Sequence, residues 1–278
     1  MIESWVAVLV VASTLVAWWW LRRSRKQSWR HRMLRTSLPA AMAAELAEAV
    51  PVYARLAPVL KARVEGKVGV FLAEKTFTGC KDVVVGDALR WVIAGHACLL
   101  LAGRDDDWVY DDLDEILIHP LSWRREETIS LGDGLEIREP GSFDGESWMR
   151  GPVIFSRGAI RKGTRELDGN NVLFHEFAHQ LDAENGAMEG CPVLPKGLEP
   201  EWARVMGAGY DELVAKDKAG HSTFLDPYGA EHPCEFYAVA VEAFLEIPEP
   251  FKEALPEMYT VLVGAFGFDP ISGMPISG

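Results

Sequence analysis

His175, Glu176 and His179, in the run HEFAH, are the residues of this 278-residue chain whose types and spacing most directly suggest chemistry. On a helix, positions four apart lie one turn apart, so both imidazoles project from one face. Two ring nitrogens can then reach one ion, and zinc takes imidazole nitrogen at about 2.0–2.1 Å. Glu176 lies roughly 100° further round such a helix. There it reaches a water on the ion without being a ligand. The pattern is ligand, base, ligand. Its setting in FHEFAHQL argues against two idle histidines, because unpaired polar groups among apolar neighbours are costly.

A catalytic zinc needs about three protein ligands and one open position. After His179 the chain reads QLDAENG, with no HxxGxxH continuation, which excludes the metzincin pattern. Asp182, one turn past His179, suits either orienting an imidazole or plain helix-end polarity. HPCEFYAVAVEAFLE, residues 232–246, is the better source of a third ligand. Pro233 fits a first helical turn, and Glu235 and Glu242, seven apart, share one face. Spacing does not choose between them, and the helix dipole alone would favour Glu235 near an N-terminus. His221 and His232 read as surface or supporting groups, and Cys234 as a buried thiol.

These residues need elements to hold them. Asn170 or Asn171 can cap a helix whose apolar surface is Val172, Leu173, Phe174, Phe177, Ala178 and Leu181, ending at Gly186. SLPAAMAAELAEAVPVYARL reads as helix with Ser37 as cap and Pro39 early in the first turn, and residues 86–102 as a buried helix. VGVFL, DEILIHP and GPVIFS read as short strands. Residues 103–150 read as turns and hairpins. No repeat, linker or clear boundary follows residue 36, and a split into two subdomains near the 175–180 helix stays open; the mix of helices and short strands makes the expected class α+β.

The N-terminus differs in kind. Trp5 to Leu21 carries no charge over 17 residues, at the lower limit for a membrane-crossing helix, and Trp18, Trp19 and Trp20 stand where an interfacial belt would lie. Seven cations follow: Arg22, Arg23, Arg25, Lys26, Arg30, Arg32 and Arg35. The expectation is a single N-terminal transmembrane anchor over residues 1–21, a basic juxtamembrane segment over 22–36, and a body over 37–278. By the positive-inside rule the protein would sit in the inner membrane with the body in the cytoplasm. Without residues 1–35 the chain has 21 cations against 40 acids, about −19, which argues against nucleic-acid binding. Four dispersed cysteines, Cys80, Cys98, Cys191 and Cys234, suit free thiols in a reducing compartment.

HEFAHQLD followed by DPYGAEHPCEFYAVAVEAFLEIPEPFKEALPEMYTVLVGAFGFDP resembles the Mlc titration factor A family of bacterial zinc-dependent peptidases. DEILIHP, GPVIFS and LDGNNVLFHEFAHQLD occur in the family's order, and the likeness covers roughly residues 37–270. The family's site is similar to that of the anthrax lethal factor catalytic domain. Both are gluzincins, in which a downstream glutamate is the third ligand and a tyrosine stands seven residues before it. Tyr228 and Glu235, in YGAEHPCE, match. The resemblance thus implies a zincin-like fold, zinc on His175, His179 and Glu235, Glu176 as base and Tyr228 as a phenol facing the reaction centre. The family's soluble prototype lacks the apolar N-terminal stretch.

The implied activity is hydrolysis of a peptide or protein substrate, with aminopeptidase-like activity included, by a water activated on the metal. GPVIFS is the expected edge onto which an extended substrate adds as a strand. The alternative implied by the family is a protein that sequesters a transcriptional repressor such as Mlc, its zinc site regulatory or structural.

Overall fold

A computed structural model describes residues 2–120, 123–130, 136–143, 145–147 and 151–276; side chains are described for residues 12–120, 145 and 151–276. Four helices open the chain: α1 (Ile2–Met33), α2 (Ala40–Ala49), α3 (Pro51–Arg55) and α4 (Pro58–Glu74). Next come β1 (Thr76–Gly79), α5 (Asp87–Leu99), β2 (Glu115–His119), the hairpin β3 (Trp123–Ser130) and β4 (Glu136–Phe143), β5 (Gly145–Ser147), β6 (Val153–Ser156) and α6 (Arg157–Gly163). The second half is helical: α7 (Val172–Asp182), α8 (Glu199–Lys218), α9 (Pro233–Glu246), α10 (Pro248–Ala254) and α11 (Pro256–Phe266), closed by a short pair β7 (Phe268–Asp269) and β8 (Met274–Pro275).

The α+β reading holds as a mainly helical body around a small mixed sheet of order β1-β2-β6-β5. β1, β2 and β6 run parallel, in register Thr78 to Leu117 and Leu117 to Ile154, and β5 lies antiparallel to β6. Ile116, Ile118, Val153 and Phe155 put their side chains into the core. α7 packs there too. The Phe177 ring lies 5.8 Å from Phe71 of α4, 5.3 Å from Tyr110 and 5.8 Å from Phe155 of β6. Such close aromatic packing fixes the roll of α7 about its axis, and with it the direction of its polar face.

Several expectations change. VGVFL is not a strand; it lies inside α4. Its valines and phenylalanine favour strands locally, but Leu60, Val64, Val68 and Phe71 recur at three- and four-residue spacing and are all buried, so packing decides. Gly66 belongs to that packing, because a Cβ there would stand 2.2 Å from the Leu34 carbonyl oxygen. α2 begins at Ala40 with Pro39 as its cap residue, not Ser37. GPVIFS is not an edge: β6 is paired on both sides, and the free edge beside it belongs to β5.

The transmembrane anchor is not borne out. Among the described residues no helix is long and apolar enough to cross a membrane; the side chains of residues 1–11, part of the expected span, lie outside the described residues. α1 runs unbroken through the basic segment to Met33. Its last turns lie on the body, with Arg30 paired to Asp111 and Glu74 and Lys26 to Glu74. One helix therefore carries both the apolar stretch and a charged surface that docks on the body.

Candidate metal centre

α7 starts at a single well-made cap. The buried Asn171 side chain accepts from the amides of Leu173 and Phe174, the expected N-cap device. Leu173, Phe177 and Ala178 then face the core, which turns His175, Glu176 and His179 toward α9 and the end of the sheet. α9 begins at Pro233 behind the cap residue His232, whose ring accepts from the Cys234 amide. Glu235 falls in its first turn and Glu242 two turns on.

The two helices bring three donor atoms together. His175 Nε2 is 3.0 Å from Glu235 Oε2, His179 Nε2 is 3.3 Å from the same oxygen, and the two Nε2 atoms are 3.2 Å apart. Ligands at about 2.0–2.1 Å from a tetrahedral zinc are separated by roughly 3.3 Å, so this triangle has the edge length zinc requires. These three residues are the one such group among the described residues. Glu242 is not in it. Its Oε1 accepts instead from His175 Nδ1 at 2.7 Å and its other oxygen from the Asn171 amide. That resolves the choice the spacing left open: Glu235 points into the triangle, and Glu242 sits behind His175 and turns its Nε2 forward.

Charge follows from this geometry. Burial works against an imidazolium at His175, but Glu242 and Glu235 outweigh it and hold the ring well above its ordinary pKa. Burial likewise opposes the charge on Glu235, and hydrogen bonds from the two histidines overcome it, holding the carboxyl well below the usual carboxylate range. Burial pushes Glu176 up to about 7. Its Oε2 is buried with no hydrogen-bond partner among the described residues, as is His179 Nδ1. An acceptor left bare beside three metal-type donors fits a site built for an ion and a water.

The remaining sequence candidates fall around this centre. Tyr228, on a short 3-10 turn (Pro227–Ala230) fixed by the Asp226 side chain, is half-exposed, its ring 5.9 Å from that of His175. Asp182 does not orient His179; both its oxygens accept from the amides of Gly190 and Cys191 and tie down the following loop. Cys234 is buried, its thiol 3.7 Å from Glu235 Oε1. His221 is exposed.

Two contributors were not anticipated. Gly145, the first residue of β5, lies over Glu176: a Cβ there would stand 2.2 Å from Glu176 Oε1 and 2.6 Å from Val172. Glu246, one turn beyond Glu242, accepts from Asn171 Nδ2 at 2.7 Å and from the Gly169 amide at 3.2 Å. A third glutamate in the apolar run of α9 was a visible signal. A glycine 31 residues upstream of Glu176 was not.

Two histidines and a glutamate on a helix beneath a sheet edge, with a second helix supplying a carboxylate, is a zincin-like arrangement. The chain belongs to the glucose-regulated metallo-peptidase M90 family, whose profile matches residues 20–267. An uncharacterized protein of Synechocystis sp. is 37% identical over 248 residues, 87% of this chain and 90% of its own length. Proteins named Mlc titration factor A are similar as well. That of Klebsiella pneumoniae (strain 342) is 28% identical, covering 86% of this chain and 91% of its own, and that of Escherichia fergusonii 27%, covering 80% and 84%. The resemblance read from HEFAHQLD and the α9 region is thereby upheld.

Proposed function

We propose that this protein is a zinc-dependent peptidase in which His175, His179 and Glu235 hold the ion. The observation that carries the reading is the triangle of Nε2, Nε2 and Oε2 atoms beside a buried Glu176 with one bare oxygen. Bound there, zinc supplies Lewis acidity, lowering the pKa of water and polarising the scissile carbonyl. Glu176 takes the proton of the attacking water and delivers it to the leaving amine. Burial raises the Glu176 carboxyl in the metal-free site, which favours its proton-accepting role. Tyr228 donates to the developing oxyanion, and Glu242 holds the His175 ring in the orientation that presents Nε2. An extended peptide adds along the free edge of β5, where Gly145 brings that backbone against the base. Four free cysteines suit a reducing compartment, and we put the body in the cytoplasm.

The test is metal analysis of the purified chain with a screen of aminopeptidase and endopeptidase substrates. About one zinc per chain, with hydrolysis abolished by chelator and restored by zinc, supports the reading; a chain that binds no zinc overturns it.

The second reading is that the chain binds an Mlc-like transcriptional repressor, with zinc regulatory or structural. It is favoured by the name Mlc titration factor A that several relatives carry. Structural zinc sites are closed by four protein ligands. Three donors here, with a buried base beside them, favour catalysis.

A further inference from the structure

The helix that carries both histidines and the base is held at its start by a network that reaches α9 a second time. Asn171 is fully buried, and all of its polar groups are used. Its Oδ1 caps α7, its Nδ2 donates to the Gly163 carbonyl at 2.8 Å and to Glu246 Oε1 at 2.7 Å, and its backbone amide donates to Glu242. The other oxygen of Glu246 accepts from the Gly169 amide at 3.2 Å, so this carboxylate binds the chain on both sides of Asn170. Glu246 is 7% exposed and has no cation among these partners. Burying a carboxylate that meets only neutral donors is costly, and an apolar residue would have packed α9 more simply. The residue is placed to do something that packing does not.

Resting on the zinc-peptidase reading above, we infer that Glu246 is a positioning residue of the metal centre, acting through Asn171 on the first turn of α7. α9 then meets the metal helix at three points in succession. Glu235 joins the ion, Glu242 fixes the His175 ring, and Glu246 fixes the rotation and axial position of the turn from which His175 and Glu176 project. His175 Nδ1 and the Asn171 amide share Glu242, so a shift of Asn171 changes the direction of His175 Nε2 directly. Small displacements of ligand supports cost roughly 10–100-fold in metal affinity or rate.

The test uses the full chain, with zinc as the probe. In Glu246→Gln one end of the amide faces a donor, either Asn171 Nδ2 or the Gly169 amide, so one bond is lost at constant volume. Asn171→Asp sets two carboxylates against each other. The double variant restores a donor–acceptor pair, now from the glutamine amide to the aspartate. Zinc affinity is measured by competition with a chelator, amide exchange is followed at Leu173 and Phe174, and melting temperature is recorded. Leu245→Ala, a cavity-making change in the same turn, is the control.

The expected result is a drop in zinc affinity of about tenfold or more for each polar single variant, with faster exchange at the start of α7. The double variant should be less impaired than Asn171→Asp alone. Leu245→Ala should lower the melting temperature while the folded protein keeps its zinc affinity. The inference is overturned if Glu246→Gln binds zinc within about twofold of the parent, if the double variant shows only the product of the single effects, or if Leu245→Ala loses as much affinity as Glu246→Gln. A parent chain that binds no zinc overturns the metal reading instead, so the two failures are distinguishable.

Discussion

Glu176, buried, and Glu235, partly buried, lie within reach of the same histidines, yet their substitution should fail in different ways. Glu176→Gln keeps the shape of the base and leaves the donor triangle intact, so zinc content should stay at the parent level while kcat falls by about 10²–10⁴-fold. Glu235→Ala removes one of three donors, and zinc and turnover should disappear together. Metal content and kcat measured on the same preparations check both; a Glu176→Gln protein that loses its zinc would move Glu176 into the ligand set. Gly145 gives a third contrast. A methyl group at this position meets the Glu176 carboxylate head-on, so Gly145→Ala should retain zinc and lose kcat, with Glu176 forced out of line. The reactive part of this set was legible because helical geometry packs two imidazole donors and a carboxyl into five consecutive letters. The third ligand was not fixed by spacing, since Glu235 and Glu242 share a face; only the crossing of α7 and α9 separates the carboxylate that points into the triangle from the one behind His175.

At the scale of elements, local pattern succeeded where it matched the packing. α7 and α9 have side-chain caps at their starts, α9 a proline as well, and α5, α7 and α9 have long apolar faces, while β2 and β6 are short apolar runs. It failed in α4, where β-branched residues and two glycines obscured a helical burial pattern completed by other elements. The carboxylates of α9 show what such packing costs. Burial lifts Glu246 to about 7, against opposing hydrogen bonds from Asn171 and Gly169. The ionisable groups facing it are Glu242 on its own helix, Asp168 before α7, and His96 of α5 and Arg55 of α3, which line the same small cavity. Because the folded value is raised, the native state keeps a proton that the unfolded chain has already released between about pH 4.5 and 7. That contribution is present at low pH and is lost as pH rises through this window. Metal-free parent protein should therefore lose about 2–3 kcal/mol relative to Glu246→Gln between pH 5 and pH 8. Urea unfolding of both proteins at the two pH values measures it; parallel stability profiles would show that Glu246 does not titrate in this window.

The whole molecule divides along α1 more than at any later point. Leu15, Val16, Trp18, Trp19, Trp20 and Leu21 are all more than half exposed, and Arg22 and Arg23 stack on Trp18 and Trp19 of their own helix. The second half of α1 is different. Arg30, with only 14% of its side chain exposed, grips Asp111 through both guanidinium nitrogens and approaches Glu74, while Gly66 lets α4 pass close under Leu34. The family match begins at residue 20, between these two halves. The sequence showed a change of character at residue 21, but it could not show that the basic segment is held by the acidic body, because Glu74 and Asp111 lie far along the chain. Removal of residues 2–19 should therefore leave the melting temperature of the body and its zinc stoichiometry within error of the full chain, since the ion pairs that dock α1 on the body come from Lys26 and Arg30, beyond that stretch. Arg30→Ala should cost roughly 1 kcal/mol, because it takes a cation from the partly buried Glu74, while the pair with the exposed Asp111 is screened by solvent. Neither change should alter zinc affinity, since the Arg30 partners lie outside the α7–α9 crossing. Denaturation and zinc titration of the truncated chain and of Arg30→Ala provide the measurement. Loss of zinc affinity in either protein would mean that α1 supports the centre through contacts these pairings do not account for.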